Sequence, residues 1–498
     1  MNLASVLRMQ LSYRTRSIAG VLAGVLYALA VFASQVGVST SGITPDTASY
    51  LEFSPYRQPL YGLWAHFIYA ATSSWAAVLQ VQLVLFVLAV AWATVELARI
   101  STWGVPAALF FIALQCVLLR MGMVGLVGTL STEGLFYSMI VAGCALMLHW
   151  LRTRSRPGLA LMLVLLVAMT QLRPAALLVL GLPVGAAIVA VVAYGWRSAS
   201  GRLGLATLAT TVVLIGVMPV LMGKQPFQLG TSKSWFGFAA LPRTALLHPP
   251  ADIAQRVPRW SAMQAGWREA AKDLDAIELG QFDAQLQEAV RWELAPKALF
   301  PEYLRADVAQ TAKQWEKGEL YNEAADLALR YLRSDIPTYA RLSLAHFWGM
   351  LTMGNYMSNG QRANVWIALN ALPAPTWELA RFRTDYPLNQ IDKPMSLASS
   401  LLYFVVRYAL MIVLALGVFA GGRTLLAVWK RRDLSPGDLA LLATVGWAAL
   451  HSVPAALTVF AEFRYTYANL LCVALGALAW FAYLGHARGT RANTEGRA

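Results

Sequence analysis

Residues 76–97 read AAVLQVQLVLFVLAVAWATVEL. The first twenty carry no charged side chain, and only Gln80, Gln82 and Thr94 interrupt the apolar run. Coiled as an α-helix, such a stretch is about 30 Å long, the thickness of the hydrocarbon core of a bilayer. It therefore reads as a membrane span. Nine more segments read the same way, centred on 17–37, 103–120, 132–150, 157–171, 174–195, 203–222, 398–420, 437–459 and 466–484. The stretch 157–171 is short, and the Arg173-Pro174 pair turns it and the next span into a tight hairpin. The first span follows Arg8, Arg14 and Arg16, and Val31-Phe32-Ala33 has the form of a signal cleavage site. With nine spans behind it, an uncleaved anchor is expected.

The composition of the whole chain agrees. Of 498 residues, 58% are hydrophobic and 13% charged, with a mean hydropathy of +0.52. Soluble domains carry about 25% charged residues, so disorder, fibrous repeats and a cytosolic multidomain enzyme are excluded together. The formal charge of +14 would suggest nucleic acid in a soluble protein, but its distribution argues for topology. Sixteen basic residues fall in every second loop: Arg8, Arg14, Arg16, Arg99, Arg152, Arg154, Arg156, Arg197, Arg202, Arg423, Lys430, Arg431, Arg432, Arg488, Arg491 and Arg497. Only Arg57, Arg120, Arg173, Arg407 and Arg464 lie on the other side of the membrane region. Both termini are expected in the cytoplasm of a bacterium, and no nucleic-acid partner is expected.

A polar insert, 223–397, holds 19 of the 40 basic and 18 of the 26 acidic residues, a net charge near +1. Ala262–Ala295 and Tyr303–Leu342 show helical spacing of apolar residues, so a mainly helical periplasmic domain is expected there. The expected organisation is thus an all-α polytopic protein: a transmembrane module at 1–222 with a first outer loop at 38–75, the domain 223–397, and transmembrane helices with a cytoplasmic tail at 398–498. Cys116, Cys144 and Cys472 lie in apolar runs without disulfide or zinc spacing. No Gly-rich phosphate loop, His-Glu-x-x-His or Cys-x-x-Cys occurs, so no cofactor is called for and a divalent cation has no ligand motif to hold it.

Outside the insert there remain eight acidic residues: Asp46, Glu52, Glu96, Glu133, Asp433, Asp438, Glu462 and Glu495. By topology Asp46, Glu52, Glu133 and Glu462 share the outer side, near the ends of spans. Carboxylates at membrane depth are costly and commonly line polar cavities. Asp46 sits in TSGITPDTASY, followed by LEFSPYRQPLYGLW, where Tyr56, Arg57 and Tyr61 give an interfacial character. As a general base Asp46 could act on a hydroxyl; as a residue after Pro45 it could equally cap a helix. Glu133, in GTLSTEGLFYSM, suits the first turn of a span behind Ser131 or Thr132 as cap. Arg173, in TQLRPAALL, stands alone between apolar runs, where it could pair a phosphate. Glu462, Arg464, Tyr465 and Tyr467, in AEFRYTY, could form an internal ion pair or bind sugar or phosphate.

These motifs, in this order and on one face, resemble the GT-C class of polyprenyl-phosphate-sugar-dependent glycosyltransferases. D-T-A-S-Y followed by Y-R-Q-P-L-Y is similar to the acidic first outer loop of that class. S-T-E-G-L-F resembles its acidic motif at the fourth span, T-Q-L-R-P-A-A-L its basic motif before the sixth, and E-F-R-Y a late Glu-x-Arg-Tyr element. The resemblance covers 1–222 and the C-terminal motif but not the insert. It implies a seven-helix module and an inverting transfer from a polyprenyl-phosphate-linked sugar to a hydroxyl on a glycan, lipid or protein. Asp46 would be the catalytic base, with Glu52, Tyr56, Arg57, Glu133, Arg173, Glu462, Arg464 and Tyr465 binding substrate. Asp46 is followed by Thr47 and Ala48 rather than by the second acid of metal-dependent members, so no catalytic metal is implied. The competing classes are an O-antigen polymerase or ligase, which would tolerate Asp46→Ala, and a lipid or solute transporter, whose internal repeat is not found.

Overall fold

The computed structural model describes residues 11–35, 50–51, 58–118, 127, 129–223, 247–248, 250, 328–352, 397–430, 432, 434–458 and 463–495. Every regular element among them is helical. In chain order they are α1 (Tyr13–Gln35), α2 (Pro59–Thr72), α3 (Trp75–Ile100), α4 (Gly104–Leu118), α5 (Thr132–Thr153), α6 (Arg156–Thr170), a 3-10 turn (Pro174–Leu180), α7 (Gly181–Tyr194), α8 (Ala199–Leu221), α9 (Ile336–Thr352), α10 (Leu397–Trp429), α11 (Pro436–Thr458) and α12 (Phe463–Glu495). Stretches within α1, α3, α5, α8, α10, α11 and α12, together with Ala176–Tyr194, make eight helices long and apolar enough to cross a membrane. The chain is a multi-pass, all-helical membrane protein over its described residues.

Ten spans are expected from the sequence; two of the corresponding helices, α4 and α6, are 15 residues each. That length rises about 22 Å, short of the roughly 30 Å hydrocarbon core. The end of α6 has a local cause. Arg173 precedes Pro174, and the proline ring pushes the residue before it out of helical space. Arg173 is accordingly extended, at φ −141° and ψ 117°. Serine caps start α3, α6 and α8: Ser74, Ser155 and Ser198 accept from the backbone N–H of Ala77, Gly158 and Gly201.

The chain divides into two compact units: 1–230 with 408–451 and 467–498, and 231–407 with 452–466. In the first, α1 packs on α3, α3 on α5, and α4 on both α1 and α3. Lipid tails are as apolar as leucine, so helices in a bilayer associate through close packing of small residues. A Cβ on Gly20 would come 2.9 Å from the Val95 Cα, and one on Gly24 2.8 Å from the Ala91 Cβ. In the second unit a helix over 328–334 precedes α9; the expected helical stretch at Ala262–Ala295 lies outside the described residues. Asp335 caps α9. Burial raises its carboxyl, but N–H donation from His248 and hydrogen bonds from Thr338 outweigh that and hold it below the usual carboxylate range.

The tight α1–α3 contact is testable. Gly24→Leu should destabilise the protein by about 1–3 kcal/mol through overpacking. Gly185→Leu, with nothing within 4 Å of its added Cβ, should be near neutral. Thermal unfolding of the detergent-solubilised variants measures both; equal behaviour would contradict the packing described.

Candidate functional site

α5 begins with Thr132, Glu133 and Gly134 and ends at Arg152 and Thr153. Its 22 residues set the two ends about 33 Å apart. At the starting end, Glu133 lies in the first turn, as expected, yet it does not act there as a simple cap. Its Oε1 accepts from Arg173 Nη2, and its Oε2 accepts from the Thr132 hydroxyl at 3.4 Å. Both partners are buried, with Glu133 3% and Arg173 7% exposed. Ser131 makes no side-chain cap either; its hydroxyl meets that of Thr129 at 2.8 Å.

Two elements converge to make the pair. The extended Arg173 at the end of α6 donates its backbone N–H to Met169 O at 2.9 Å. That leaves its side chain against α5, where Nε donates to Thr132 Oγ1 at 3.2 Å. The guanidinium carbon stands 5.3 Å from the centroid of the Phe136 ring. Phe136 is three residues after Glu133, so both lie on one face of α5. A cation over an aromatic face gains more when desolvated, which suits a buried arginine.

A second layer ties this pair to α2 and α3. Tyr50 Oη meets Thr132 Oγ1 at 3.4 Å, and the Tyr50 ring stands edge-on to Tyr61 at 5.5 Å. Tyr61 donates to Gln82 Oε1 at 3.1 Å. The Gln82 amide donates to Val127 O and Thr129 O, both at 2.9 Å, and so holds the chain entering α5. Gly134 makes room for this: a Cβ there would collide with Gln82 Nε2 and come 2.7 Å from Val127 O. Burial, and then the Glu133 carboxylate, push the Tyr61 phenol well above its ordinary range, keeping it a donor.

A third layer comes from α11 and α12. The Phe136 ring lies 5.4 Å from that of His451, which stacks on Trp447 at 4.6 Å and 18°. His451 Nδ1 meets Asn469 Oδ1 at 3.2 Å. With the amide oxygen as acceptor, Nδ1 carries the proton. The result is a buried polar site with a carboxylate, a guanidinium, two tyrosines, a glutamine and a histidine, framed by Phe136 and Trp447. It can position a polar or anionic group while excluding water. Among the described residues, no group of three or more His, Cys, Asp or Glu could hold a metal.

Of the residues singled out in the sequence, the structure brings Glu133 and Arg173 together. Asp46, Glu52, Tyr56, Arg57 and Glu462 lie outside the described residues. Arg464 and Tyr465 stand in the first turn of α12, and their side chains are outside the description. Gln82, His451, Trp447 and Asn469 were not singled out. Their signal was a polar residue inside an apolar run, most plainly Gln82 in LQVQLVLF. No family model, curated protein or solved structure matches the chain.

Removing one partner of a buried ion pair strands the other charge, at a cost of about 3–5 kcal/mol. Glu133→Ala and Arg173→Ala should each destabilise the protein on that scale. The double variant should lose less than the sum, by about 0.5–3 kcal/mol. Unfolding of the four proteins in one detergent gives the coupling; strict additivity would mean that the pair does not interact.

Proposed function

We propose that this chain is an inverting glycosyltransferase of a bacterial inner membrane. It moves a sugar from a polyprenyl-phosphate donor to a hydroxyl on a surface glycan, lipid or protein at the outer face. The observation that carries the reading is the buried Glu133–Arg173 pair, wired through Thr132, Tyr50, Tyr61 and Gln82, at the end of α5 away from Arg152. Basic loops favour the cytoplasm, so this polar end faces outward, both termini are cytoplasmic and 223–397 is periplasmic. Nucleotide sugars do not normally reach that face, whereas a lipid-linked sugar does.

Sequence position supports a role for Asp46: it stands four residues before Tyr50, whose hydroxyl meets Thr132, and Glu52 stands two residues after Tyr50. The acceptor hydroxyl attacks the anomeric carbon and gives its proton to Asp46. The bond from that carbon to the phosphate oxygen breaks, and its electron pair leaves with polyprenyl phosphate. The leaving phosphate gains negative charge as the bond breaks, and Arg173 offsets it. Glu133 keeps the guanidinium fixed before substrate arrives. Electrostatic stabilisation of this kind is strongest where water is excluded, and the pair is buried.

Asp46→Asn keeps the size of the side chain and removes its ability to accept a proton. It should lower single-turnover sugar transfer in nanodiscs by roughly 10²–10⁴-fold with donor binding retained. Transfer at the wild-type rate would remove Asp46 as base and direct attention to Glu52. Vectorial lipid movement with no release of lipid phosphate would replace the enzyme by a transporter.

Orientation has its own test. In intact spheroplasts Gly280→Cys should react with an impermeant thiol reagent, and Thr490→Cys should react only after lysis. The reverse pattern would overturn the topology.

A further inference from the structure

The other end of α5 holds a second cluster, which the proposed reaction does not use. Glu96 on α3 is 1% exposed. Its Oε1 accepts from Arg99 Nη1 at 3.0 Å and meets His149 Nδ1 at 3.4 Å. Its Oε2 accepts from Arg152 Nε and Nη2 at 3.3 and 3.0 Å. Arg99 also donates through Nε to Ser17 Oγ on α1 at 3.0 Å. The guanidinium carbons of Arg99 and Arg152 each stand 5.6 Å from the Tyr13 ring.

Arg16 follows three residues after Tyr13 on α1 and lies within electrostatic reach of Arg152. Its Nε is buried and has no hydrogen-bond partner among the described residues. Two guanidiniums thus share one carboxylate, which already receives four contacts, and Arg16 stands near one of them. Arg16, Arg99, Arg152 and Glu96, three guanidiniums and one carboxylate, together carry a net charge of +2. Residues 1–10, MNLASVLRMQ, contain no carboxylate to balance it. A bias of basic residues toward one face explains why arginines occur at this end. It does not explain why Arg99 and Arg152, from two helices, converge on one carboxylate and over one tyrosine ring.

We infer that this cluster binds the phosphate of an anionic phospholipid in the leaflet at the Arg-rich face. Arg99 Nη2, Arg152 Nη1 and the Arg16 guanidinium supply donors not spent on Glu96, and guanidinium matches phosphate geometry. Glu96 holds the arginines together against their mutual repulsion. A lipid is favoured over a free phosphate by where the cluster stands: at one end of the membrane-spanning stretches of α1, α3 and α5, the depth at which charged headgroups meet basic side chains. The inference is independent of glycosyl transfer.

Native mass spectrometry of the full chain, purified in mild detergent with equal amounts of phosphatidylglycerol and phosphatidylcholine, tests it. The phosphatidylglycerol adduct should dominate. Arg16→Gln leaves the Glu96 contacts intact and should cut that adduct about fivefold, the effect of one basic residue at a lipid surface. Arg197→Gln, in a basic loop away from the cluster, should leave it unchanged. Equal retention of the two lipids by the wild-type protein overturns the site even if a variant fails to fold. Equal loss in Arg16→Gln and Arg197→Gln reduces the effect to general surface charge and overturns it as well. Displacement of phosphatidylglycerol by excess inorganic phosphate alone would assign a free-anion site in place of the lipid.

Discussion

Hydrocarbon offers no hydrogen-bond partner, so every polar group carried into the bilayer must be satisfied by the protein itself. That constraint fixes the backbone as helix, and it also governs the few polar side chains on the helices. Gln82 uses both its oxygen and its nitrogen, reaching Tyr61 and two carbonyls of the chain before α5. Glu96 accepts from three arginine nitrogens and meets His149 Nδ1. Asp438, 4% exposed, receives the Trp480 indole N–H at 2.9 Å and pairs with Arg423 at 3.2 Å. All of these contacts but Glu96–Arg99, which lies within α3, cross from one helix or segment to another, so satisfying a polar group also sets helix register.

α5 carries the consequence at both ends. One end holds a buried acid paired with Arg173; the other holds a buried acid paired with both Arg99 and Arg152. A matched pair is electrically quiet until charge develops beside it, which suits a site where a reaction creates charge. An unmatched cluster attracts an anion at rest. One rigid helix thus separates two different electrostatic environments by about 30 Å.

Small residues make the polar contacts reachable. Without a Cβ at Gly134, Gln82 approaches α5 closely enough to bond the chain at Val127. At Gly476 an added Cβ would overlap the Thr444 hydroxyl, so the Thr444 side chain of α11 packs directly on the backbone of α12. That contact lies between the helices that bear His451 and Asn469. The polar site therefore depends on glycines that take no part in it chemically.

Hydropathy alone determined the helical class and most of the spans, because a membrane span is a local property: twenty apolar residues have few other places to go. The sequence also marked Glu133 and Arg173, since a charge at membrane depth stands out from its neighbours. Their union was decided by tertiary structure. The two are 40 residues apart, and nothing in either motif states that the pre-proline turn aims Arg173 at α5 instead of at solvent. Glu133 does stand in the first turn of α5, as its motif suggests, and there it also pairs with Arg173. Gln82 and His451 were hidden for the same reason: a polar residue in an apolar run is meaningful only through partners 45 and 18 residues away. The lengths of α4 and α6 lay between, since apolar composition marks a span while its end is set by backbone geometry at a turn, as at Arg173. Local physics selects the elements, and long-range satisfaction of polar groups selects how they meet.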